Sequence, residues 1–399
     1  MRILYSLLFL LIIVGSSKAG DVKLVENGRS QWRIYVPREA GQVENFAAGE
    51  LQKYLKKMSG VSLPLVGVNK GDFVIRVGLR VQFGKVKGIA PAKKTGFDGY
   101  SVMVAPKQIV IAGDNPRAVL YGVYDVLERL GCRWYQPTLD KKDPEVVPWN
   151  DSPELPAGTW AESGKIELRI FNGSAFFFFL DKDKMLAQLD WAAKNRYNGI
   201  SWQAHHAPDK IAMQMDEMKN AGTFAEMDRR GLFLHGPGHS FPYFLKTEKY
   251  YKEHPEWFGL YKGKRLKHGQ DFPLMNYCWS NADANREFIK NVDEYVHKYP
   301  QHKILCLVWI DGGQLCGCDN CQKRGAANLL IDLFNQLSVH LEKSAPAVTL
   351  EAVIGYAPVE LPPKGAVPNG KWQGIYAHWG RNHNQSYADT NYSHKGNMA

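Results

Sequence analysis

The stretch Ile304-Leu-Cys-Leu-Val-Trp-Ile-Asp-Gly-Gly313 decides how the rest of the chain is read. Its first seven residues, Ile304 to Ile310, are apolar without interruption. A strand with one wet face alternates polar and apolar side chains, whereas an unbroken apolar run is the pattern of a parallel strand covered on both faces. The run ends in the carboxylate of Asp311 and two glycines, which let the backbone turn sharply or approach a ligand closely. Parallel α/β sheets gather their chemistry at the carboxyl ends of their strands. Asp311 is therefore either a catalytic or ligand-binding acid or the cap of the following turn.

Working outward, a Pro-rich passage from Pro144 to Pro156 reads as a linker. Beyond it strands and helices alternate. Strands are predicted at Ile166–Phe171, Gly199–Gln203, Leu232–His235, Ile304–Ile310, Thr349–Tyr356 and Gln373–His378. Helices are predicted at Asp183–Tyr197, Ile211–Arg230, Ala282–Tyr299 and Ala326–Lys343. Repeated βα units without a glycine-rich phosphate loop favour a (β/α)8 TIM-type barrel over a doubly wound nucleotide binder. The pattern supplies six strands where a closed barrel needs eight, so residues 160–399 are expected to form a barrel whose last units are missing.

In such a barrel the residues just past each strand share one rim. The second strand contributes Trp202, Gln203, His205 and His206. The third contributes His235-Gly-Pro-Gly-His239, the fourth Trp309 and Asp311, the fifth Tyr356 and Glu360, and the sixth His378, Trp379 and Arg381. Glu351, by contrast, reads as pointing to the opposite end. His235 and His239 suit hydrogen bonding to hydroxyls better than metal binding, because Gly236-Pro237-Gly238 forbids the helix that would stack two ligands four residues apart. Trp202, Trp309 and Trp379 are either stacking platforms or barrel packing. Ser240 lacks a nucleophile-elbow pattern, which argues against a serine hydrolase. Asp311 is the one well-placed acid, with Glu360 as candidate partner. A substrate that brings its own nucleophile, such as a 2-acetamido sugar, needs one carboxylate to orient that group and another as acid, and Asp311 suits either task.

The amino terminus sets the compartment. Met1-Arg2, the apolar core Ile3–Val14 and Ser17-Lys18-Ala19 form a secretory leader over residues 1–19, whose core is too short to span a bilayer. No later stretch is apolar enough to cross a membrane, so a secreted or periplasmic protein is expected. The formal charge is +10, but the basic residues are scattered and never form an aromatic-interleaved stripe. Nucleic acid is accordingly not an expected partner, while an acidic substrate remains open. The abundant aromatics (11 Trp, 19 Tyr, 18 Phe) fit a sugar cleft or a large core. Six cysteines in an exported chain make disulfides the default. The run Cys316-Gly-Cys318-Asp-Asn-Cys321 has metal-like spacing, but only Cys278 or His302 can complete it. It is read as a disulfide or plain structural loop, and no metal or other cofactor is expected.

Residues 20–150 read as a small α/β domain. Strands at Arg33–Val36 and Phe73–Val77 flank a helix at Gln42–Met58, which ends at Ser59-Gly60. A hairpin around Pro106-Lys107 and a helix at Pro116–Leu130 follow. This domain carries no constellation of chemical groups and is read as a support.

Several of these stretches resemble a known family. His235-x3-His239-Ser-Phe-Pro-Tyr-Phe, His254-Pro-Glu-Trp-Phe and Asp311-Gly-Gly-x2-Cys-x-Cys-x2-Cys are similar to motifs of the secreted family called domain of unknown function 4838. Upstream, Ala47–Gly60 and Asn115–Trp134 resemble the accessory domain that precedes the barrel in hexosaminidases and α-glucuronidases. The resemblance implies a glycan-active enzyme whose relatives include endo-β-N-acetylglucosaminidases. It implies Asp311 as a catalytic carboxylate, with His235, His239, Trp309 and Tyr356 lining the sugar subsite. The chain departs from the family pattern at Ile310, where relatives often carry Asn. It departs again at Tyr376-Ala377-His378-Trp379, where they tend to carry an acid. Glu360, or a residue beyond Ala399, is left to supply the second acid. The expectation is a glycoside hydrolase acting on N-acetylhexosamine-containing glycans or glycoproteins, as an endo-β-N-acetylglucosaminidase. The alternatives are an α-glucuronidase-like enzyme and a non-catalytic glycan-binding protein.

Overall fold

The protein is described by a computed structural model covering residues 20–84, 89, 96–137, 145–172, 182–202, 210–267, 271–359 and 362–377. The leader, His205, Glu360, His378, Trp379 and Arg381 lie outside the described residues. The chain divides into two compact units: Met1–Arg133 with Val146–Glu167, and Trp134–Glu145 with Leu168–Ala399.

The first unit is a six-stranded mixed sheet with two helices. Its elements are β1 (Arg33–Tyr35), α1 (Gln42–Ser59), β2 (Leu65–Val66), β3 (Val74–Leu79), β4 (Phe97–Ala105), β5 (Gln108–Gly113), α2 (Pro116–Arg129) and β6 (Gly158–Gly164). The sheet order is β6-β4-β5-β3-β1-β2. The predicted hairpin is β4–β5, closed by Ala105 opposite Gln108. The stripe Ala47, Leu51, Tyr54, Leu55 and Met58 of α1 is fully buried, and the helix stops where Gly60 turns left-handed at φ 77°. Asn115 caps α2 by accepting from the Ala118 N–H, and Pro116 opens it. A buried carboxylate, Glu50, accepts from the Tyr124 hydroxyl and from Lys53.

The second unit is built on six parallel strands in chain order: β7 (Ile170–Asn172), β8 (Gly199–Ser201), β9 (Phe233–His239), β10 (His302–Val308), β11 (Thr349–Ile354) and β12 (Trp372–Tyr376). The connections carry α3 (Lys182–Lys194), α4 (Ile211–Asn220), α5 (Thr223–Arg229), α6 (Ala282–Lys298), α7 (Asp319–Arg324) and α8 (Ala326–Ser344). This is the strand order of a (β/α) barrel, and among the described residues β7 and β12 pair with no further strand. The decisive run behaves as its composition requires: every residue from Ile304 to Trp309 is buried. No described helix is long and apolar enough to cross a membrane.

Two of the differences from the sequence reading turn on glycine. The helix expected over 211–230 breaks into α4 and α5, because Gly222 adopts a left-handed conformation (φ 76°) between them. The strand expected to stop at His235 runs on through Gly236-Pro237-Gly238 to His239, with His239 opposite Val308 of β10. Glycine is obligatory here: a Cβ on Gly236, whose φ is 150°, would lie 2.1 Å from the Trp202 carbonyl oxygen of the β8 side.

At the start of β10, His302 is buried against α6, where its Nε2 meets the Tyr295 hydroxyl at 2.8 Å. Burial, helped by the nearby His235, pushes its pKa from the ordinary 6.5 down to about 3. The unfolded chain therefore takes up a proton below about pH 6.5 that the folded chain refuses until about pH 3, so stability falls as pH falls through that window. A loss of about 2 kcal/mol is expected on going from pH 7 to pH 5. Denaturant titrations at the two pH values check it, with His302→Gln expected to flatten the difference.

Candidate active site

The ladder between β9 and β10 ends at His239 and Val308, and the chain then leaves the sheet. Its next donors are captured by a distant residue. The Ile310 N–H donates to Asn276 Oδ1 at 3.2 Å, and Asn276 Nδ2 donates to the Gly313 carbonyl at 2.8 Å. The Gly313 N–H returns to the Ile310 carbonyl at 3.0 Å, and the Gln314 N–H donates to Leu274. Asn276 is fully buried and grips the Asp311-Gly312 turn from both sides. The turn has no room for side chains at its exit, since a Cβ on Gly313 would meet Ile310 Cγ2 at 2.0 Å. Such a clasp fixes where the half-exposed Asp311 carboxylate stands.

Asp311 Oδ1 accepts a hydrogen bond from the Tyr356 hydroxyl, at the carboxyl end of the neighbouring strand β11. Partial burial and the hydrogen bond to Asp311 both raise the Tyr356 pKa, so the phenol stays protonated and remains a donor near neutral pH. His239, at the end of β9, donates from Nδ1 to the Trp309 carbonyl at 2.6 Å, and its ring lies 6.4 Å from that of Tyr356. Trp309 donates from Nε1 to the Ala357 carbonyl at 2.8 Å and meets Trp279 edge-on at 5.7 Å. Three successive strand ends therefore bring together His239, Trp309 with Asp311, and Tyr356. This arrangement presents one oriented carboxylate, a phenol and an imidazole, which suits binding a polyhydroxylated ligand and stabilising positive charge upon it.

Other predicted site residues take different places. Trp202 and Trp309 are 1% and 0% exposed, so their rings pack the interior and offer no face to a sugar. His235 is buried: its Nδ1 meets Ser201 Oγ at 3.0 Å and its Nε2 meets Glu351. His235 meets the interior residues Ser201 and Glu351, whereas His239 reaches the Trp309 carbonyl at the end of the β9–β10 ladder, which separates a polar core residue from a rim residue. Glu351, read as lying toward the opposite end, meets His235 in the buried interior, away from the rim residue His239. Burial opposes its charge, but His235 and the Gln373 amide at 2.7 Å outweigh this and hold its carboxyl below the usual range. His205, Glu360, His378 and Arg381 lie outside the described residues.

The cysteine run departs from the disulfide half of its reading. Cys278 Sγ stands 3.6 Å from Cys318 Sγ and 3.8 Å from Cys321 Sγ, well beyond the bonding distance of about 2.05 Å. Cys278, rather than His302, completes the group. Sequence reasoning missed Asn276 altogether, because an Asn within Leu-Met-Asn-Tyr-Cys carries no signal of a partner more than thirty residues away.

The family profile for "Domain of unknown function (DUF4838)" matches residues 141–373. The chain belongs to the DUF4838 family. A second profile, "Glycosyl hydrolase family 67 N-terminus", matches residues 21–126 of this DUF4838 chain. No curated protein sequence matches it. Among solved structures it resembles the GH20 β-N-acetylhexosaminidase of Streptomyces coelicolor A3(2), with a TM-score of 0.55 at 16% identity over 91% of this chain and 68% of that one. It also resembles the GH115 4-O-methyl-α-glucuronidase BtGH115A, with a TM-score of 0.57 at 13% identity, over 85% of this chain and 43% of that one. The β-N-acetylhexosaminidase of Bacteroides fragilis NCTC 9343 matches with a TM-score of 0.53 at 13% identity, over 89% and 67% of the two chains. At these identities the likeness establishes the fold: an α/β domain and a (β/α)8-type barrel as found in glycoside hydrolases.

Proposed function

We propose that this DUF4838 protein is an exported glycoside hydrolase acting on N-acetylhexosamine-containing glycans. The observation that carries the reading is the Asp311–Tyr356 pair beside His239 at the carboxyl ends of three adjacent parallel strands. In the proposed reaction the substrate's 2-acetamido oxygen attacks the anomeric carbon as the glycosidic bond breaks. The Asp311 carboxylate accepts from the acetamido N–H and stabilises the positive charge that grows there. Tyr356 holds that carboxylate in place. Glu360 is the proposed proton donor to the leaving oxygen. The hexosaminidase fold neighbours support this substrate class. Removing one hydrogen bond to a charged group is worth about 1.5–3 kcal/mol. Tyr356→Phe is therefore expected to lower kcat/KM by about 10- to 100-fold with little change in KM.

A second reading, an enzyme for uronic acids, is favoured by the family 67 N-terminal match and by the likeness to the GH115 glucuronidase. In it, Arg381 and His378 pair with the substrate carboxylate. Steady-state hydrolysis of matched aryl N-acetyl-β-glucosaminide and aryl α-glucuronide separates the two. Turnover of the first alone supports the proposal and turnover of the second alone overturns it. Glycan binding with no turnover of either would mark a non-catalytic binding protein.

A further inference from the structure

Cys278, Cys316, Cys318 and Cys321 converge on one point, with their four sulfurs within 4.8 Å of one another. Cys316, Cys321 and Cys278 are 0%, 0% and 3% exposed. Four thiols crowded in this way gain little, since S–H is a weak donor. Four thiolates would repel one another. A single divalent cation resolves both problems. We infer that these four cysteines form a tetrahedral tetrathiolate site for one zinc ion.

Three features support a metal over disulfides. A zinc–sulfur bond of about 2.3 Å in tetrahedral geometry sets sulfurs about 3.8 Å apart. The Cys278 distances of 3.6 and 3.8 Å match that spacing. Disulfides would draw the sulfurs together in pairs and would give no reason for all four to meet. Iron–sulfur clusters spread their thiolates over several iron atoms and need a wider cage.

Secondly, Cys316 Sγ receives the outer hydrogen bonds that thiolate ligands use. The Leu260 N–H donates to Cys316 Sγ at 3.3 Å, and Arg265 Nη1 donates to the same sulfur at 3.5 Å. Cys321 Sγ donates to Ser280 Oγ at 3.2 Å, and the same hydroxyl lies 3.6 Å from Cys318 Sγ. The Arg265 guanidinium also offsets part of the net negative charge of a zinc tetrathiolate.

Thirdly, the backbone is shaped around the group. Gly317 donates to the Leu260 carbonyl at 2.8 Å, and a Cβ there would stand 2.8 Å from the same oxygen. Only glycine lets the Cys316–Cys318 step lie against the small hairpin of Leu260–Tyr261 and Lys264–Arg265.

The site's role follows from its connections. Cys278 lies two residues after Asn276, which grips the Asp311 turn, and Cys316 lies five residues after Asp311. The ion would staple the segment 275–281 to the segment following Asp311 and so position that carboxylate. Metal binding itself does not depend on the proposed hydrolase activity; only this positioning role does.

The test uses the whole chain purified without chelator. Elemental analysis is expected to give one zinc per chain, with four thiols protected until a mercurial releases the metal. Cobalt substitution is expected to give the visible bands and sulfur charge-transfer absorption of a tetrahedral tetrathiolate. Cys318→Ser, the least buried of the four, is expected to lose most of the zinc, whereas Cys132→Ser in the first unit keeps it. Removing the metal is expected to lower the thermal midpoint by about 10 °C. Zinc below about a tenth of an equivalent together with a non-reduced mass four hydrogens light, meaning two disulfides, would overturn the site. So would four free thiols without metal. A normal zinc content with no hydrolysis would count against the proposed activity and leave the metal site standing.

Discussion

Asp311→Asn is expected to lower kcat/KM on an aryl N-acetyl-β-glucosaminide by at least about a thousandfold, with the fold intact. The substitution keeps the size of the side chain and an oxygen that can accept from the Tyr356 hydroxyl. The Asn276 clasp uses backbone groups of Ile310 and Gly313 and is untouched. What disappears is the negative charge facing the developing cation, in a partly buried position where such a charge is worth more than in water. The loss should therefore fall on kcat more than on KM, and the thermal midpoint should stay within a few degrees of the parent. A tenfold loss or less would remove Asp311 from the chemistry and return it to capping its turn.

The largest expected loss of stability comes from one hydrogen on β9. In Gly236→Ala the new Cβ sits 2.1 Å from the Trp202 carbonyl oxygen, a backbone atom that cannot rotate away. The φ of 150° adds strain for any L side chain. Relief requires β8 and β9 to separate in the middle of the parallel sheet, at a cost of about 3 kcal/mol or more. For a unit of this size the thermal midpoint should drop by roughly 6–12 °C. Gly312→Ala makes the comparison: φ is 67° but nothing lies within 4 Å of the new Cβ, so about 1 kcal/mol is expected. Equal losses at the two sites, by denaturant titration, would show that backbone freedom rather than the Trp202 contact makes Gly236 necessary.

The architecture was legible because burial dictates composition. Ile304–Ile310 announced a strand covered on both faces, and α1, α2 and α6 each carried a helical stripe. The site was half legible. Asp311, Tyr356 and His239 follow from the rule that chemistry collects at strand ends. The extension of β9 was hidden, because Gly-Pro-Gly reads as a chain breaker. Here tertiary pairing with Leu305, Cys306 and Leu307 overrides that local signal. Trp202 and Trp309 stood open between sugar platform and barrel packing, since residue type alone does not separate a stacking ring from a packing one. Asn276, Glu351 and Cys278 act through partners distant in sequence, and no local period marks such pairs.

The most direct test of the glycosidase reading is mass spectrometry of a complex-type N-glycoprotein after incubation with the protein and, separately, with Asp311→Asn. Release of glycan that leaves one N-acetylglucosamine on each asparagine is expected, with the mass shift absent in the variant. Release by both forms would contradict the role of Asp311. Release by neither, in a preparation that still binds the glycoprotein, would contradict the N-acetylhexosamine reading and leave the uronic-acid enzyme or a binding protein.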